Sequence, residues 1–246
     1  MFCPEIIYIE EVASTNSYLK DLPSDSLSDG ITVYTRFQTG GRGQRGNSWE
    51  SEKGKNLTFS TILFPEKLKA EDQFLISQIA SLAIKDVLGK YTEDITIKWP
   101  NDIYWKDRKI TGILIENDIM GDCVSQSILG IGINLNQTLF TSNAPNPVSL
   151  KQITNSSYNI PSILSEVLQR LYSYYTKLPD NNERAKIRDL YRESLYRKEG
   201  LHKFADKNGV FIARIKGVED IGLLVLETEQ GITSAYGFKE IKYLFD

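Results

Sequence analysis

Residues 40–49 read GGRGQRGNSW: four glycines and two arginines in ten positions, with no acidic residue between Asp29 and Glu50. Within this stretch Gly41-x-Gly43-x-x-Gly46 has the spacing of a dinucleotide-binding fingerprint, and it follows the strand-like ITVYTRF (31–37). That fingerprint works only when a helix begins there, so that its first N–H groups hold a pyrophosphate. Residues 47–56, NSWESEKGKN, have no apolar helical period and contain Gly54, and the β-branched and aromatic LTFSTILF (57–64) comes next. The sequence therefore argues for a loop between two strands and against a Rossmann fold. No Gly-x-x-x-x-Gly-Lys-Ser/Thr phosphate loop occurs either. What remains is a flexible cationic loop. Glycine lets backbone N–H groups come close to a ligand, and arginine offers a planar fork for carboxylate or phosphate. Trp49 adds a ring that can stack on a base. Together they favour an anionic nucleotide ligand over a solvated glycine turn.

Outward from this loop the first half mixes strands and helices. IIYIE (6–10) reads as a strand, and Ser14-Thr15-Asn16 as a capping run before a short helical turn. From Glu71 to Leu88, Phe74, Leu75, Ile79, Leu82, Ala83 and Val87 keep helical spacing, with Gly89 as a stop. DITIKWP (94–100), KITGILIE (109–116) and SQSILGIGINL (125–135) read as strands, the last two joined as a hairpin around Met120-Gly121-Asp122. A loop rich in Asn, Pro and Ser (136–160) precedes two helices. One opens at Pro161 and buries Ile163, Leu164, Val167, Leu168 and Leu171. The other spans 183–196 and buries Ile187, Leu190, Tyr191 and Leu195. After Gly200, VFIARIKGV, IGLLVLET and GITSAYGF are short strands divided by glycines, as in a small β-barrel.

Two further clusters could carry chemistry. In IKWPNDIYWKDRKITGILIE (97–116) a lysine, a Pro-Asn-Asp turn and a second lysine stand between two strands. Asn101 and Asp102 are also ordinary turn residues. Lys109 opens an apolar strand, where an ammonium needs either an anion or an edge from which to reach solvent. GIGINLN (130–136) alternates glycine with isoleucine, which suits close approach by a ligand or a packed bulge.

The whole composition sets limits. The chain has 246 residues and a formal net charge of −3, and no apolar run reaches the ~18 residues of a membrane span. A pI near 5.4 speaks against a protein devoted to nucleic acid. One histidine, His202, rules out a multi-histidine metal site, and Cys3 and Cys123 lie far apart without metal-ligand spacing. The N-terminus, MFCPEIIYIEE, lacks a basic region followed by an apolar stretch, so cytoplasmic residence and no membrane partner are expected.

Taken in order, STN, GRGQRGNSW, KWPND, RK-x-x-GILIE and GIGINLN resemble the motifs of the biotin–protein ligases over nearly the whole chain. The glycine-rich tail is similar to that family's SH3-like domain. The resemblance implies an α+β fold: a mixed-sheet catalytic domain with flanking helices, like the class II synthetases and biotin–lipoate ligases, over 1–199, and an SH3-like barrel over 200–246. Repressor members carry an N-terminal helix-turn-helix domain. Here the catalytic segment begins within the first dozen residues, so the ligase-only form, with no DNA partner, is expected.

The resemblance also implies a reaction. ATP and biotin give biotinyl-5′-AMP and pyrophosphate, and biotin then passes to a lysine of a biotin carboxyl carrier domain. Joining a carboxylate to a phosphate requires cations, and Mg²⁺ travelling with ATP, rather than a protein-only metal site, shares that work. Arg42, Arg45 and Lys109 match the cationic positions. Ser14, Thr15, Asn16, Gln38 and Gly41 match the biotin side, and Gly112 and Gly132 leave room for ligand against the sheet. Gln44, Trp49, Lys98 and Asn134 match the adenylate side. Asp102 is the candidate base for the second step, because free lysine, with a pKa of about 10.4, must lose a proton. Gln44 and Asn47 depart from the family's common GRGRRGR-x-W, where arginines are frequent. The strands near GIGINL offer themselves for pairing across a possible homodimer. A lipoate ligase or octanoyltransferase leaves KWPND unexplained. An RNA-binding protein conflicts with the acidic pI and the scarcity of aromatic–basic interleaving.

Overall fold

Exposed and half-buried side chains alternate along Ile6–Val12 (β1), which leaves Ile6 and Tyr8 facing solvent on an edge strand. The computed structural model describes residues 5–44, 47–142 and 146–245. The Ser14 side chain then accepts from the backbone N–H of Ser17 and starts the helix Thr15–Asp21 (α1). Thr32–Gln38 (β2) and Leu57–Leu63 (β3) are the strands on either side of the cationic loop, and β3 is buried throughout.

Phe74–Leu88 (α2) is buried on nearly all sides and packs against two later helices. Ile95–Lys98 (β4), Asp102–Trp105 (β5), Arg108–Met120 (β6) and Cys123–Ile133 (β7) follow. The expected hairpin turns through Gly121, at φ 65°. The chain continues through the short helix Leu150–Thr154 (α3), opened by a Ser149–Gln152 capping box, to Ile160–Tyr175 (α4) and Asn181–Glu193 (α5). Ile187 and Tyr191 are buried on α5, but Leu190 is exposed, contrary to the expected face. Leu195 and Tyr196, expected in this helix, lie beyond it and join the edge of β4.

The first seven strands form one mixed sheet in the order β1-β2-β3-β7-β6-β5-β4, in which only β1 and β2 run parallel. The expectation that strands near GIGINL are open for pairing is incorrect. β7 lies between β3 and β6 and is hydrogen-bonded on both sides, so it offers no free edge.

Register sets the floor of the site. Thr58, Gly132 and Gly112 are direct partners across β3, β7 and β6. Ser60, Gly130 and Leu114 form the next row on that face, and Ile62, Ile128 and Glu116 the third. α1 packs over this face, with Leu19 joining Ile62 and Ile128 in a small apolar cluster.

The tail folds as His202–Asp206 (β8), Gly209–Val218 (β9), Leu224–Thr228 (β10), Thr233–Tyr236 (β11) and Lys242–Tyr243 (β12). These strands form an antiparallel sheet in the order β11-β10-β9-β8-β12, with no pairing between β11 and β12 among the described residues. Phe204, Leu224 and Tyr243 belong to the same buried cluster as the core of the large sheet. The turn between β9 and β10 is fastened to the part of the chain that carries the large sheet. Trp99 Nε1 donates to the Gly222 carbonyl at 2.9 Å, and a Cβ on Gly222 would stand 2.7 Å from the Phe74 ring.

Candidate active site

The cationic loop forms a narrow neck. The Trp49 N–H donates to the Gly41 carbonyl at 2.9 Å, the Gly43 N–H donates to the Asn47 carbonyl at 2.7 Å, and Arg42 bridges Ser48. A Cβ on Gly41 would lie 2.6 Å from the Trp49 carbonyl oxygen, so glycine is what lets the two ends meet. Arg45 and Gly46 lie outside the described residues.

Beneath the loop is a cleft of about 240 Å³. Ser14, Thr15, Asn16 and Gln38 line one end, Lys98, Asp102 and Lys109 the other, with Arg42, Gln44 and Trp49 above and Gly112 and Gly132 below. The sheet thus gathers residues that the sequence keeps in four separate segments. Gly41 and Asn134 do not line the cleft. Gly41 shapes the neck. Asn134 is buried, with its Nδ2 donating to the Val148 carbonyl at 3.2 Å and its Oδ1 without a donor.

The uncharged end is held by a chain of hydrogen bonds. Gln38 Oε1 accepts from the Thr15 backbone N–H at 2.8 Å and from Thr15 Oγ1 at 3.0 Å. This fixes its carbonyl, and its amide nitrogen keeps both hydrogens for a ligand. Ser60 Oγ lies 2.6 Å from Thr15 Oγ1 and 2.5 Å from Asn16 Oδ1. Asn16 fills the space left by Gly130, where a Cβ would be 2.2 Å from its Oδ1.

At the charged end Lys109 Nζ sits 2.6 Å from Asp102 Oδ1, and each side chain is about three-quarters buried. Lys98 faces the rings of Tyr243 and Tyr104, with its Nζ 4.8 and 5.5 Å from their centroids, and has no ion pair among the described residues. Burial pushes its ammonium below the ordinary lysine range. The charge of Asp102 opposes that shift, while those of Lys109 and Arg197 add to it.

Trp49 shows what the floor glycines accommodate. A Cβ on Gly132 would be 2.3 Å from its Nε1, and one on Gly112 would be 2.8 Å from its Cζ3. The room at Gly112 and Gly132 is therefore filled by the indole itself. Its Nε1 is buried without an acceptor, and Lys109 Nζ lies 5.9 Å from the ring centroid. The cleft also contains groups that the sequence did not single out. Phe238, from the turn between β11 and β12, lines it beside Trp99. Glu116 stands at its edge, bound to Asn16 and Lys20. Its place at the end of GILIE was the only available signal.

The sequence pattern of the biotin/lipoate A/B protein ligase family matches residues 8–134. This chain belongs to that family. The match covers the β1–β7 sheet apart from Ile6 and Ile7, and every described residue assigned above to the cleft except Phe238. The ligase is 30% identical over 240 residues to the bifunctional ligase/repressor BirA of Bacillus spizizenii, covering 94% of this chain and 72% of that protein. It is 29% identical over 234 residues to the biotin–[acetyl-CoA-carboxylase] ligase of Paracoccus denitrificans, with 89% and 92% covered. Its fold superposes on the biotin protein ligase from Aquifex aeolicus solved in complex with biotin and ATP. The TM-score is 0.81 at 25% identity, with 98% of this chain and 99% of that one covered. The mixed sheet with its flanking helices is the fold expected from the sequence, and the tail expected as a small barrel is a second, five-stranded antiparallel sheet.

Proposed function

We propose that the cleft joins biotin to ATP as biotinyl-5′-AMP and then transfers the biotinyl group to a lysine of a biotin carboxyl carrier domain. The observation that carries this reading is that Arg42, Lys98 and Lys109 all line one cleft, with the neutral hydrogen-bonding groups of Ser14, Thr15 and Gln38 at the end beside Arg42. A neutral ureido ring suits Ser14, Thr15 and Gln38, and the three cations suit a carboxylate meeting a phosphate. The relatives' names agree: one is a biotin–[acetyl-CoA-carboxylase] ligase, and another was solved with biotin and ATP.

In the first step a biotin carboxylate oxygen bonds to the α-phosphorus, the α–β bridging P–O bond breaks, and pyrophosphate leaves. Arg42 and Lys109 offset the repulsion between the two anions and the charge that builds in the transition state. Arg45, three residues after Arg42 in sequence, is the further cation of this reading. Trp49 supplies a ring for the base, and Asn134, which does not line the cleft, ties the end of β7 to the Val148 carbonyl beside it. Gln44 supplies a neutral hydrogen bond near the phosphate, and Lys98 a charge on the pyrophosphate side. Mg²⁺ would enter as part of the nucleotide substrate and would supply charge neutralisation on the phosphates; among the described residues no cluster of three or more His, Cys, Asp or Glu side chains offers it a site of its own.

In the second step the acceptor amine attacks the acyl carbonyl, AMP leaves, and the amine's proton passes to Asp102. The reaction consumes ATP and the chain has only two cysteines, far apart in sequence, so its place is the reducing cytoplasm. The test is incubation with ATP, Mg²⁺, biotin and a biotin carboxyl carrier domain, read by intact mass. One ATP-dependent biotinyl addition per carrier domain is expected. No addition, or equal addition of lipoate, would replace this reading.

A further inference from the structure

Glu116 is at the end of the strand that carries Lys109 and Gly112, on the cleft face of β6. Its row partners, Ile128 and Ile62, are apolar and covered by α1, so its carboxylate is drawn toward the first turns of that helix. Asn16 and Lys20 are four residues apart and therefore share one helix face. Both reach it: Asn16 Nδ2 donates to Oε2 at 2.7 Å, and Lys20 Nζ lies 2.7 Å from Oε1. Arg42 comes from the opposite side. Its Nη2 stands 3.6 Å from Oε2 and donates to Ser17 Oγ at 3.2 Å. One carboxylate thus joins the helix bearing Ser14 and Thr15 to the arginine of the glycine loop. Burial alone would raise this carboxyl group. Hydrogen bonds from Lys20 and Asn16, with the charges of Lys20 and Arg42, outweigh that effect and hold it below the ordinary carboxylate range.

We propose that Glu116 is the resting counter-ion and positioning residue of Arg42, keeping the guanidinium against α1 until the carboxylate of biotin takes it over. The proposal rests on the biotin reading of the cleft. It follows from charge and connection. Arg42 is about half exposed, and its contacts among the described residues are Ser17 and Glu116, which place it beside the neutral end of the cleft. An incoming carboxylate must compete with Glu116 for that guanidinium. The loop is thereby held near its working position at some loss of affinity.

The test is the Glu116→Gln variant, which keeps an acceptor for Asn16 and removes the charge. Biotin and biotinol, its uncharged alcohol, are titrated calorimetrically into the wild type, this variant, Arg42→Gln and the double variant. Removing a competing charge at this range should tighten biotin binding roughly three- to tenfold and leave biotinol within twofold. The gain should vanish in the Arg42→Gln background, because partners acting through one contact are not additive. Equal biotin affinity in wild type and variant, weaker binding of both ligands alike, or a gain that survives loss of Arg42 would each overturn the proposal. Should the amide variant not fold, Glu116→Asp keeps the charge, withdraws it by one methylene and should shift biotin affinity the same way by a smaller factor. No shift there overturns the proposal too. Failure of the wild type to bind biotin would instead remove the functional reading beneath it.

Discussion

Lys109 Nζ and Asp102 Oδ1 are 2.6 Å apart, so the cation proposed for the adenylate and the base proposed for the acceptor lysine neutralise one another in the resting site. Asp102 opens β5 and Lys109 lies on β6, with the bulge between Ile103 and Tyr104 separating them in register. When an anion draws Lys109 away, Asp102 loses its partner and gains a free oxygen. Asp102→Asn should therefore have two opposite effects. Transfer from preformed biotinyl-AMP to a carrier domain should slow ~10²-fold or more, while biotin binding stays equal or becomes tighter. Wild-type transfer rates across pH 6 to 9 would remove Asp102 from the role of base.

Lys109→Ala and Arg42→Ala should damage adenylate formation far more than folding. Each removes a charge whose interaction grows in the transition state, a loss of ~2–4 kcal/mol. Single-turnover formation of biotinyl-AMP measures this directly, with thermal unfolding as the control. An undiminished rate in either variant takes that residue out of the reaction.

Trp49→Ala should weaken ATP binding by ~1–3 kcal/mol, the worth of stacking on a base, and leave biotin affinity nearly unchanged. Its indole covers Gly112 and Gly132, so the alternative is a wall shared by both ligands. Separate titrations distinguish these cases. Equal losses for ATP and biotin would make Trp49 a structural wall.

Lys98 offers a test of charge kept at a cost. Its ammonium is desolvated beside two tyrosine rings, and its folded pKa is depressed below the unfolded value. The charged form is thus disfavoured on folding at neutral pH, and that penalty fades as pH rises from the folded pKa toward the ordinary lysine value. Lys98→Met should raise stability at pH 7, give a smaller gain above pH 10, and slow adenylate formation. Unfolding midpoints in denaturant at the two pH values check the sign. A variant less stable than the wild type at pH 7 would mean that the cation–π contacts outweigh desolvation.

These expectations show which parts of the molecule were legible in its sequence. The cationic loop was visible because its chemistry lies in local composition, and the long strands and helices because their periods persist over many residues. β5 was hidden because only four residues follow the Pro-Asn turn, too few to show alternation. α3 was lost within a polar loop for the same reason. Leu190 was misjudged because apolar spacing on α5 does not reveal which side a neighbour covers. Glu116 carries no sign of a role in the sequence, since Asn16, Lys20 and Arg42 reach it only after the sheet has formed. Phe238 lines the cleft beside Trp99, whose indole also bonds the Gly222 carbonyl, a long-range meeting that no local pattern records.

Gln44 gives a prediction about lifetime. It lines the cleft where an arginine would add a charge-assisted hydrogen bond, ~1.5–3 kcal/mol net. Gln44→Arg should lengthen the residence of biotinyl-AMP by about tenfold for each ~1.4 kcal/mol gained. Stopped-flow release from the two proteins measures it. Equal release rates would show that position 44 does not face the phosphate, or that Arg45 already supplies the charge.

The central claim is that one cleft activates biotin with ATP. Biotin-dependent exchange of labelled pyrophosphate into ATP reads that step alone, without any acceptor protein. The account predicts exchange that requires biotin, is absent with lipoate and falls steeply in Lys109→Ala. Exchange without biotin, or none with biotin, ATP and Mg²⁺ all present, would contradict it.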